Sequence, residues 1–345
     1  MFQLGNKYIG QENRAFIVAE IAQAHDGSLG YAHAFIDAAA EAGVDAVKFQ
    51  AHYAGYESTL DEPFRMKFSF QDKSRYDYWK RMEFSIDQWK VLKDYAESKN
   101  LIFLCTPFSR FAVEILEKIG ILGWKVGSGE FSENWLLDEI ITTKKPIIIS
   151  TGLSKKDQIE KTYVKLTESQ IDFALMHCTS IYPTPIENVN IEKISTFKDK
   201  YDVPIGLSDH SGTVWPSIFA IASKADIIEV HLKLSDNAFG PDTSSSLNIK
   251  EIKTIVESRD SFYQMHKKVD LPPELDSVLN SNKEIFGRSI ALDKDYPIGT
   301  CITSEMIIMK KPGTGIPEKE LSSILGKKLI KNYDSLFLLK ISDIR

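Results

Sequence analysis

The segment "PIGLSDHSGTVWPSIFAIASKADIIEVHL" (204–232) contains the repeating pattern on which most of the chain is built. Two short apolar runs typical of β-strands flank a stretch with helical periodicity. The first run ends in "SDHS" (208–211), and the second carries Glu229 and His231 within apolar sequence. Because burial of such groups is costly unless they have partners, we expect them to gather where they find one another or a ligand.

The same alternation of strand and helix extends in both directions along the chain. Helical periodicity separates the strands, for example at 31–43 and 86–100. Eight runs read as strands, at 16–21, 46–50, 101–106, 123–128, 146–151, 173–179, 204–209 and 226–232. Eight such units predict an α/β protein with a (β/α)8 TIM barrel. The alternative is an open doubly wound sheet, but no G-x-G-x-x-G follows the first strand.

Two intervals depart from the pattern. The segment 52–85 is long, charged and aromatic, which favours a lid or binding loop, with disordered decoration as the alternative. After a predicted helix at 249–267, the sequence "KKVDLPPELDSV" indicates a linker, and from residue 283 short strands and turns replace the βα units. We therefore predict a barrel domain at 1–267, a linker at 268–282 and a small β-rich domain at 283–345.

Composition restricts the partners. The net charge is −6 and is spread along the chain, so no basic surface for nucleic acid or membrane is indicated. No segment approaches the roughly 20 apolar residues that span a bilayer. Three scattered cysteines do not form a disulfide framework and fit a reducing cytoplasm. We expect a cytoplasmic protein with a small-molecule substrate.

Polar side chains stand near the end of nearly every predicted strand, where a parallel barrel carries its active site. They are Glu20, Lys48, Thr106, Lys125, Ser150, Thr151, Thr179, Ser180, Ser208, His210 and His231. The two histidines together suit a divalent transition metal, although each alone is more typical of a hydrogen-bonded residue. Glu229 shares a strand face with His231 and either supports it or forms an ion pair in the barrel. Lys48 and Lys125 could bind phosphate and carboxylate groups or form a Schiff base; the alternative is that they are ordinary solvated lysines.

The chain resembles the sialic acid synthase family, the phosphoenolpyruvate-dependent nonulosonate synthases. The resemblance covers nearly the whole barrel in order, and the tail "RSIALDKDYPIGTCITSEMIIMKKPGTGIP" resembles the antifreeze-like (SAF) domain of that family. The matching barrel stretches are "FIVAEIAQAHDGSLGYAHAFIDAAAEAGVDAVKFQ", "FLCTPF", "WKVGSGE", "IIISTGLS", "HCTSIYPTP", "IGLSDHSG" and "IEVHLKLSDNAFGPD".

The resemblance implies a transferase that condenses phosphoenolpyruvate with an N-acylated aminosugar, giving a nonulosonic acid and phosphate. It implies that His210 and His231 bind the metal, typically manganese, with magnesium or cobalt as alternatives. Catalytic roles fall to Glu20, which would contact the sugar, and to Lys48, Lys125 and Glu130. Substrate-binding roles fall to Thr106, Ser128, Ser150, Ser180, Tyr182 and Ser208.

The sequence differs from the family pattern at positions that bear on which sugar is bound. This chain has Asp26 and Ser180 where sialic acid members often have asparagine, and Lys311 where they present an arginine. We therefore expect the acceptor to be N-acetylmannosamine or, as the alternative, a diacetamido precursor of pseudaminic or legionaminic acid. The resemblance also implies a domain-swapped homodimer in which Lys311 meets the sugar, unless it is only a solvated loop residue. The remaining alternatives are a Schiff-base aldolase and a non-catalytic sugar-binding protein.

Overall fold

The computed structural model describes residues 1–10, 13–66, 68–267 and 272–345. The chain divides into two compact units, Met1–Lys267 and Lys268–Arg345. The first unit begins with an antiparallel hairpin of β1 (Phe2–Leu4) and β2 (Lys7–Ile9). Within the described residues, no helix combines the length and hydrophobicity needed to span a bilayer.

The rest of the first unit is a parallel barrel, as the sequence predicts. Its strands are β3 (Phe16–Ala22), β4 (Ala46–Ala51), β5 (Ile102–Pro107), β6 (Trp124–Val126), β7 (Ile147–Ser150), β8 (Phe173–Cys178), β9 (Ile205–Asp209) and β10 (Ile227–Leu232). The sheet order is β5-β4-β3-β10-β9-β8-β7-β6, with the short β11 (Ser246–Leu247) beside β10. Because the order begins and ends on strands that follow one another in the chain, the barrel is nearly closed.

Helices surround this barrel and occupy the connections between strands. They are α1 (Leu29–Ala42), α2 (Ala54–Glu57), α3 (Arg75–Met82), α4 (Ile86–Ser98), α5 (Arg110–Lys118), α6 (Asn134–Thr142), α7 (Lys156–Glu168), α8 (Lys193–Lys200), α9 (Trp215–Ala222) and α10 (Ile249–His266). Capping residues in the sequence determine where these helices begin and end. Helix α1 starts where Ser28 accepts from the Tyr31 amide, and it stops at Gly43, whose φ of 80° favours glycine.

The barrel interior changes from apolar to polar along each strand, and this change positions the site. Inward residues near the strand starts, such as Val18, Ala46 and Leu104, form one apolar cluster with Phe2 and Leu4 of the hairpin. Two residues further along the same strands stand Glu20, Lys48 and Thr106, all buried. Since side chains of a strand alternate between its faces, these polar groups share the interior with the apolar layer.

The interval 52–85 is ordered over its described residues. Helices α2 and α3 lie within it, and Ala54, Tyr78, Trp79 and Met82 form a small core of their own. The capping box of Ser74 and Asp77 starts α3. This interval is therefore a folded loop over its described part, not disordered decoration.

The second unit has a separate core and a β-hairpin of β12 (Ser289–Leu292) and β13 (Ile307–Lys310). It also holds α11 (Pro273–Phe286) and the short α12 (Leu321–Ile324). The segment interpreted as a linker, 268–282, thus contains most of a helix, while its residues 268–271 lie outside the described residues. The prolines of this segment suggest a linker, but Pro273 occupies the first turn of α11, where its missing N–H is harmless.

Candidate active site

A cavity of about 430 Å³ opens at the carboxyl end of the barrel. Most of the barrel residues predicted from the sequence to form the site converge on it. Those lining the cavity are Glu20, Lys48, Thr106, Lys125, Ser128, Glu130, Ser150, Tyr182, Ser208, His210 and His231. Ser180 lies next to Ser128, their hydroxyl oxygens 3.0 Å apart, and Lys311 belongs to the second unit.

Two lysines and two glutamates form a buried charge cluster on the floor of this cavity. Lys48 Nζ lies 2.5 Å from Glu20 Oε2 and 3.5 Å from Glu229 Oε1. Lys125 Nζ lies 3.6 Å from the same Glu229 oxygen. Strand register explains the first contact, since Glu20 and Lys48 are paired on β3 and β4. The two ammonium groups and the two carboxylates are equal in number, so their charges offset one another away from water.

The two lysines differ in how tightly they hold their protons. Burial lowers the pKa of Lys48, but the charges of Glu20 and Glu229 outweigh it and raise this pKa to about 12. For Lys125, burial prevails over Glu229, with Lys48 adding repulsion, so its pKa is lowered. Although burial raises the pKa of Glu229, Lys125 and Lys48 bring it down to about 2. Glu229 is thus the common counter-ion of both ammonium groups.

Hydroxyl groups surround the ammonium groups. Lys125 Nζ donates to Ser150 Oγ at 2.6 Å, and Lys48 Nζ to Thr106 Oγ1 at 3.4 Å. Ser208 Oγ donates to Glu229 Oε1 at 3.1 Å. Glu229 Oε2 is buried and has no hydrogen-bond partner among the described residues. Two ammonium groups with hydroxyl donors can hold a small substrate that carries a phosphate and a carboxylate.

His210 and His231 lie side by side with ring centroids 5.4 Å apart. Burial and the neighbouring His231 lower the pKa of His210 to about 3, so this imidazole is neutral. Its Nδ1 lies 3.2 Å from the carbonyl of Thr179, to which it donates, and this leaves a lone pair on Nε2. A metal ion binds a neutral imidazole through such a lone pair, which in this structure accepts a hydrogen bond from the Tyr182 hydroxyl.

This donor set fits a divalent cation that keeps open coordination positions. Over residues 1–10, 13–66, 68–267 and 272–345, no cluster of three or more His, Cys, Asp or Glu side chains is arranged as a metal site. Two imidazoles would therefore supply part of the coordination, and water or substrate the rest.

Tyr182 connects the histidines to the loops above the cavity. Burial raises its pKa, so its phenol keeps the proton and donates to His210 Nε2 at 3.1 Å. The guanidinium of Arg65 lies 4.4 Å from the centre of the Tyr182 ring and 2.6 Å from Asp242 Oδ1. Arg65 and Asp242 belong to different βα loops, and this ion pair joins them across the mouth of the cavity.

Glu130 follows β6 and is mostly buried in the cavity wall. Burial raises its pKa, more than the positive charge of Lys125 lowers it. A carboxyl group with a raised pKa keeps its proton to higher pH than an ordinary glutamate does, which suits a proton donor.

Sequence reasoning missed several lining residues. They are Gln23, Gln50, His52, Glu57, Glu62, Arg65, Arg75, Trp79, Phe108 and Asp242. Most belong to the 52–85 loop, whose composition marked it as a binding loop without distinguishing its residues. Gln50 and His52 carried a usable signal, since they continue the inward-facing alternation that begins at Lys48.

Fold and cavity together define an enzyme of the TIM-barrel class with its site at the carboxyl ends of the strands. The chain belongs to the NeuB family, whose model matches residues 35–270, and the SAF domain model matches residues 287–332. It is thus an enzyme of the transferase type, related to sialic acid-type synthases.

Individual relatives agree with the family. The chain is 30% identical to the N,N'-diacetyllegionaminic acid synthase of Campylobacter jejuni, covering 93% of this chain and 97% of that one. It is 31% identical to a pseudaminic acid synthase of Campylobacter jejuni, covering 99% and 100% of the two chains. The crystal structure of the N-acetylneuraminic acid synthetase of Leptospira borgpetersenii superposes with a TM-score of 0.71, at 29% identity, over 83% of this chain and 97% of that one.

Proposed function

We propose that this protein condenses phosphoenolpyruvate with the aldehyde form of an N-acylated aminosugar to give a nonulosonic acid and inorganic phosphate. The observation that carries the proposal is the pair of buried ammonium groups, Lys48 and Lys125, on the floor of the cavity. Phosphoenolpyruvate carries phosphate and carboxylate on a three-carbon frame, and charge-assisted hydrogen bonds from lysines and hydroxyls suit both groups. Family membership supports the same reaction class.

The reaction balances with water as the third reactant. The π electrons of phosphoenolpyruvate form a bond from C3 to the aldehyde carbon, and the aldehyde oxygen takes up a proton. C2 is left cationic, a water oxygen bonds to it, and the water loses a proton. The C–O bond to phosphate then breaks and its electron pair leaves with phosphate, the hydroxyl on C2 gives up its proton to the phosphate, and C2 becomes the keto carbon.

The residues of the chain provide binding and electrostatic stabilisation. Lys48 and Lys125 hold the anionic substrate and stabilise the phosphate as its charge grows. Glu20, fixed by Lys48, accepts from hydroxyls of the acceptor and orders the attacking water. Glu130, with its raised pKa, supplies or removes a proton at the aldehyde oxygen.

His210 and His231 are the residues that would hold a divalent cation, which we propose to be manganese. Such a cation supplies Lewis acidity to the aldehyde oxygen of the acceptor. The neutral state of His210 and the lone pair on its Nε2 support this assignment.

The natural acceptor is N-acetylmannosamine or a diacetamido-trideoxyhexose. The relatives named above make legionaminic, pseudaminic and N-acetylneuraminic acids, so their names leave this choice open. We further propose a cytoplasmic homodimer in which the SAF domain of one chain, with Lys311, completes the site of the other.

The experiment measures phosphate release from phosphoenolpyruvate with a panel of N-acyl aminosugars, together with the mass of the product. Release that depends on one acceptor, with a product three carbons longer than it, supports the proposal. Wild-type protein that releases no phosphate with any acceptor, at any divalent metal, contradicts it.

A further inference from the structure

A continuous line of hydrogen bonds runs from Glu20 to the loop that follows β4. Gln50 Nε2 donates to Glu20 Oε1 at 2.9 Å, and His52 Nε2 lies 3.1 Å from Gln50 Oε1. His52 Nδ1 lies 2.6 Å from Glu57 Oε1. Lys48 contacts Glu20 Oε2, so Gln50 fixes the one carboxylate oxygen that Lys48 does not.

The partners determine how Gln50 and His52 are oriented. The Glu20 carboxylate can only accept, so the amide NH2 of Gln50 must face it, and the carbonyl of Gln50 faces His52. That carbonyl also accepts from Gln23 Nε2 at 2.6 Å. His52 must therefore carry a proton on Nε2 and donate it to Gln50. The contact between His52 Nδ1 and Glu57 Oε1 is also a hydrogen bond, in which either atom can be the donor.

Aromatic rings hold the imidazole of His52 in place. It stacks on Trp79 with centroids 3.9 Å apart and on Phe108 with centroids 4.1 Å apart, nearly parallel in both cases. Trp79 is itself anchored, because its Nε1 donates to Glu62 Oε2 at 3.0 Å. His52 is 4% exposed, so its ring has little freedom to turn.

We propose that His52 is a positioning residue that fixes the orientation of Glu20 through Gln50, and that the 52–85 loop thereby becomes part of the catalytic apparatus. The inference rests on the proposed function, since it assigns a role within that reaction. If Gln50 loses the donor from His52, its carbonyl is held only by Gln23, and an amide that turns presents Glu20 with a carbonyl oxygen instead of an NH2 group. Misplacement of a catalytic group by about 1 Å can cost on the order of 100-fold in rate.

The alternative is that His52 only packs the loop. The hydrogen bonds argue against this, because both ring nitrogens of His52 have polar partners, Gln50 Oε1 and Glu57 Oε1. The hydrogen bond to Gln50, rather than the ring itself, is the feature that the positioning role requires.

Two substitutions separate these roles. His52→Gln places an amide NH2 near the position of Nε2 and keeps a donor for Gln50. His52→Asn places one near Nδ1, which keeps the contact with Glu57 and loses the one with Gln50. Both remove the stacked ring, so a packing role is damaged equally. His266→Gln, on the exposed face of α10, is the matched control and should behave as wild type.

The readout is kcat and KM for phosphoenolpyruvate. We expect H52N to lower kcat by about 10- to 100-fold with KM changed less than about threefold, and H52Q to retain at least about tenfold more kcat than H52N. Equal kcat values in H52Q and H52N overturn the proposal. Wild-type protein without phosphate release overturns the proposed function instead.

A second readout does not depend on the reaction. In selectively labelled protein, ¹⁵N NMR reports the side-chain amide of Gln50. We expect its resonances to be preserved in H52Q and shifted or broadened in H52N. Resonances unchanged in both variants, with both folded by circular dichroism, overturn the positioning role whatever the protein catalyses.

Discussion

Lys125 donates a 2.6 Å hydrogen bond to the hydroxyl of Ser150 from a position in which its side chain is 2% exposed. An ammonium group buried so completely needs anionic partners, and Glu229 is the one carboxylate this close to it among the described residues. The contact is long, at 3.6 Å, and Glu229 is shared with Lys48. Lys125 is therefore incompletely neutralised, which is the condition of a residue prepared to bind an anion.

The first prediction concerns the affinity for phosphoenolpyruvate. Lys125→Gln and Lys48→Gln each remove a positive charge from the floor of the cavity, so each should raise KM for phosphoenolpyruvate by at least about tenfold. KM for the aminosugar should change much less. Steady-state kinetics in both substrates measures this, with the exposed Lys161→Gln as control. An unchanged KM for phosphoenolpyruvate in both cavity variants would remove the lysines from its site.

The second prediction concerns pH. Burial lowers the pKa of Lys125, so this residue loses its proton at a lower pH than an ordinary lysine does. Since binding needs the ammonium form, kcat/KM for phosphoenolpyruvate should fall as pH rises through the lowered pKa. Lys125→Arg keeps the charge at any accessible pH, so it should move this decline to higher pH. A decline at the same pH in wild type and Lys125→Arg would assign it to another group.

The third prediction concerns the metal. Chelation should abolish turnover and Mn²⁺ should restore it, because the two imidazoles leave room for a cation with open coordination positions. His210→Ala and His231→Ala should each remove most of the activity and weaken Mn²⁺ binding measured by calorimetry. His266→Ala provides the control on a surface helix. Full activity of either cavity variant in metal-free buffer would refute the metal role.

The fourth prediction tests whether the SAF domain acts in trans. The His231→Ala variant has a damaged barrel site and an intact SAF domain. The Lys311→Glu variant has an intact barrel site and a damaged SAF domain. If the SAF domain of one chain completes the barrel site of the other, a mixed dimer contains one site in which the barrel and the SAF domain are both intact. Activity should then return on subunit exchange. A mixed dimer, verified by mass, that stays inactive would count against exchange of the domains.

The barrel was predictable because each strand leaves a simple signature. Strand β7, for example, is an apolar run that ends on Ser150, and β4 places Lys48 two residues after the inward-facing Ala46. Strand alternation then brings such groups into one layer, so the floor of the cavity could be found from the sequence. The barrel strands begin and end within a few residues of the predicted bounds.

The walls of the cavity could not be predicted in the same way. Arg65 and Asp242 meet through loops without periodicity, and only the folded chain places them together. His52 lies in a segment that composition marks as a loop, and its contacts with Trp79 and Phe108 depend on two further segments. Helix α11 was missed because its prolines were interpreted as a linker, although Pro273 and Glu274 suit a helix start.

The fifth prediction tests the central claim, the condensation that breaks the C–O bond of phosphoenolpyruvate. Substrate labelled with ¹⁸O at the bridging oxygen is converted with an active acceptor, and both products are analysed by mass spectrometry. If water attacks C2, as proposed, the label leaves with inorganic phosphate, and the new keto oxygen comes from solvent. Label retained in the keto acid, with unlabelled phosphate, would mean that the P–O bond breaks and would contradict the proposed reaction.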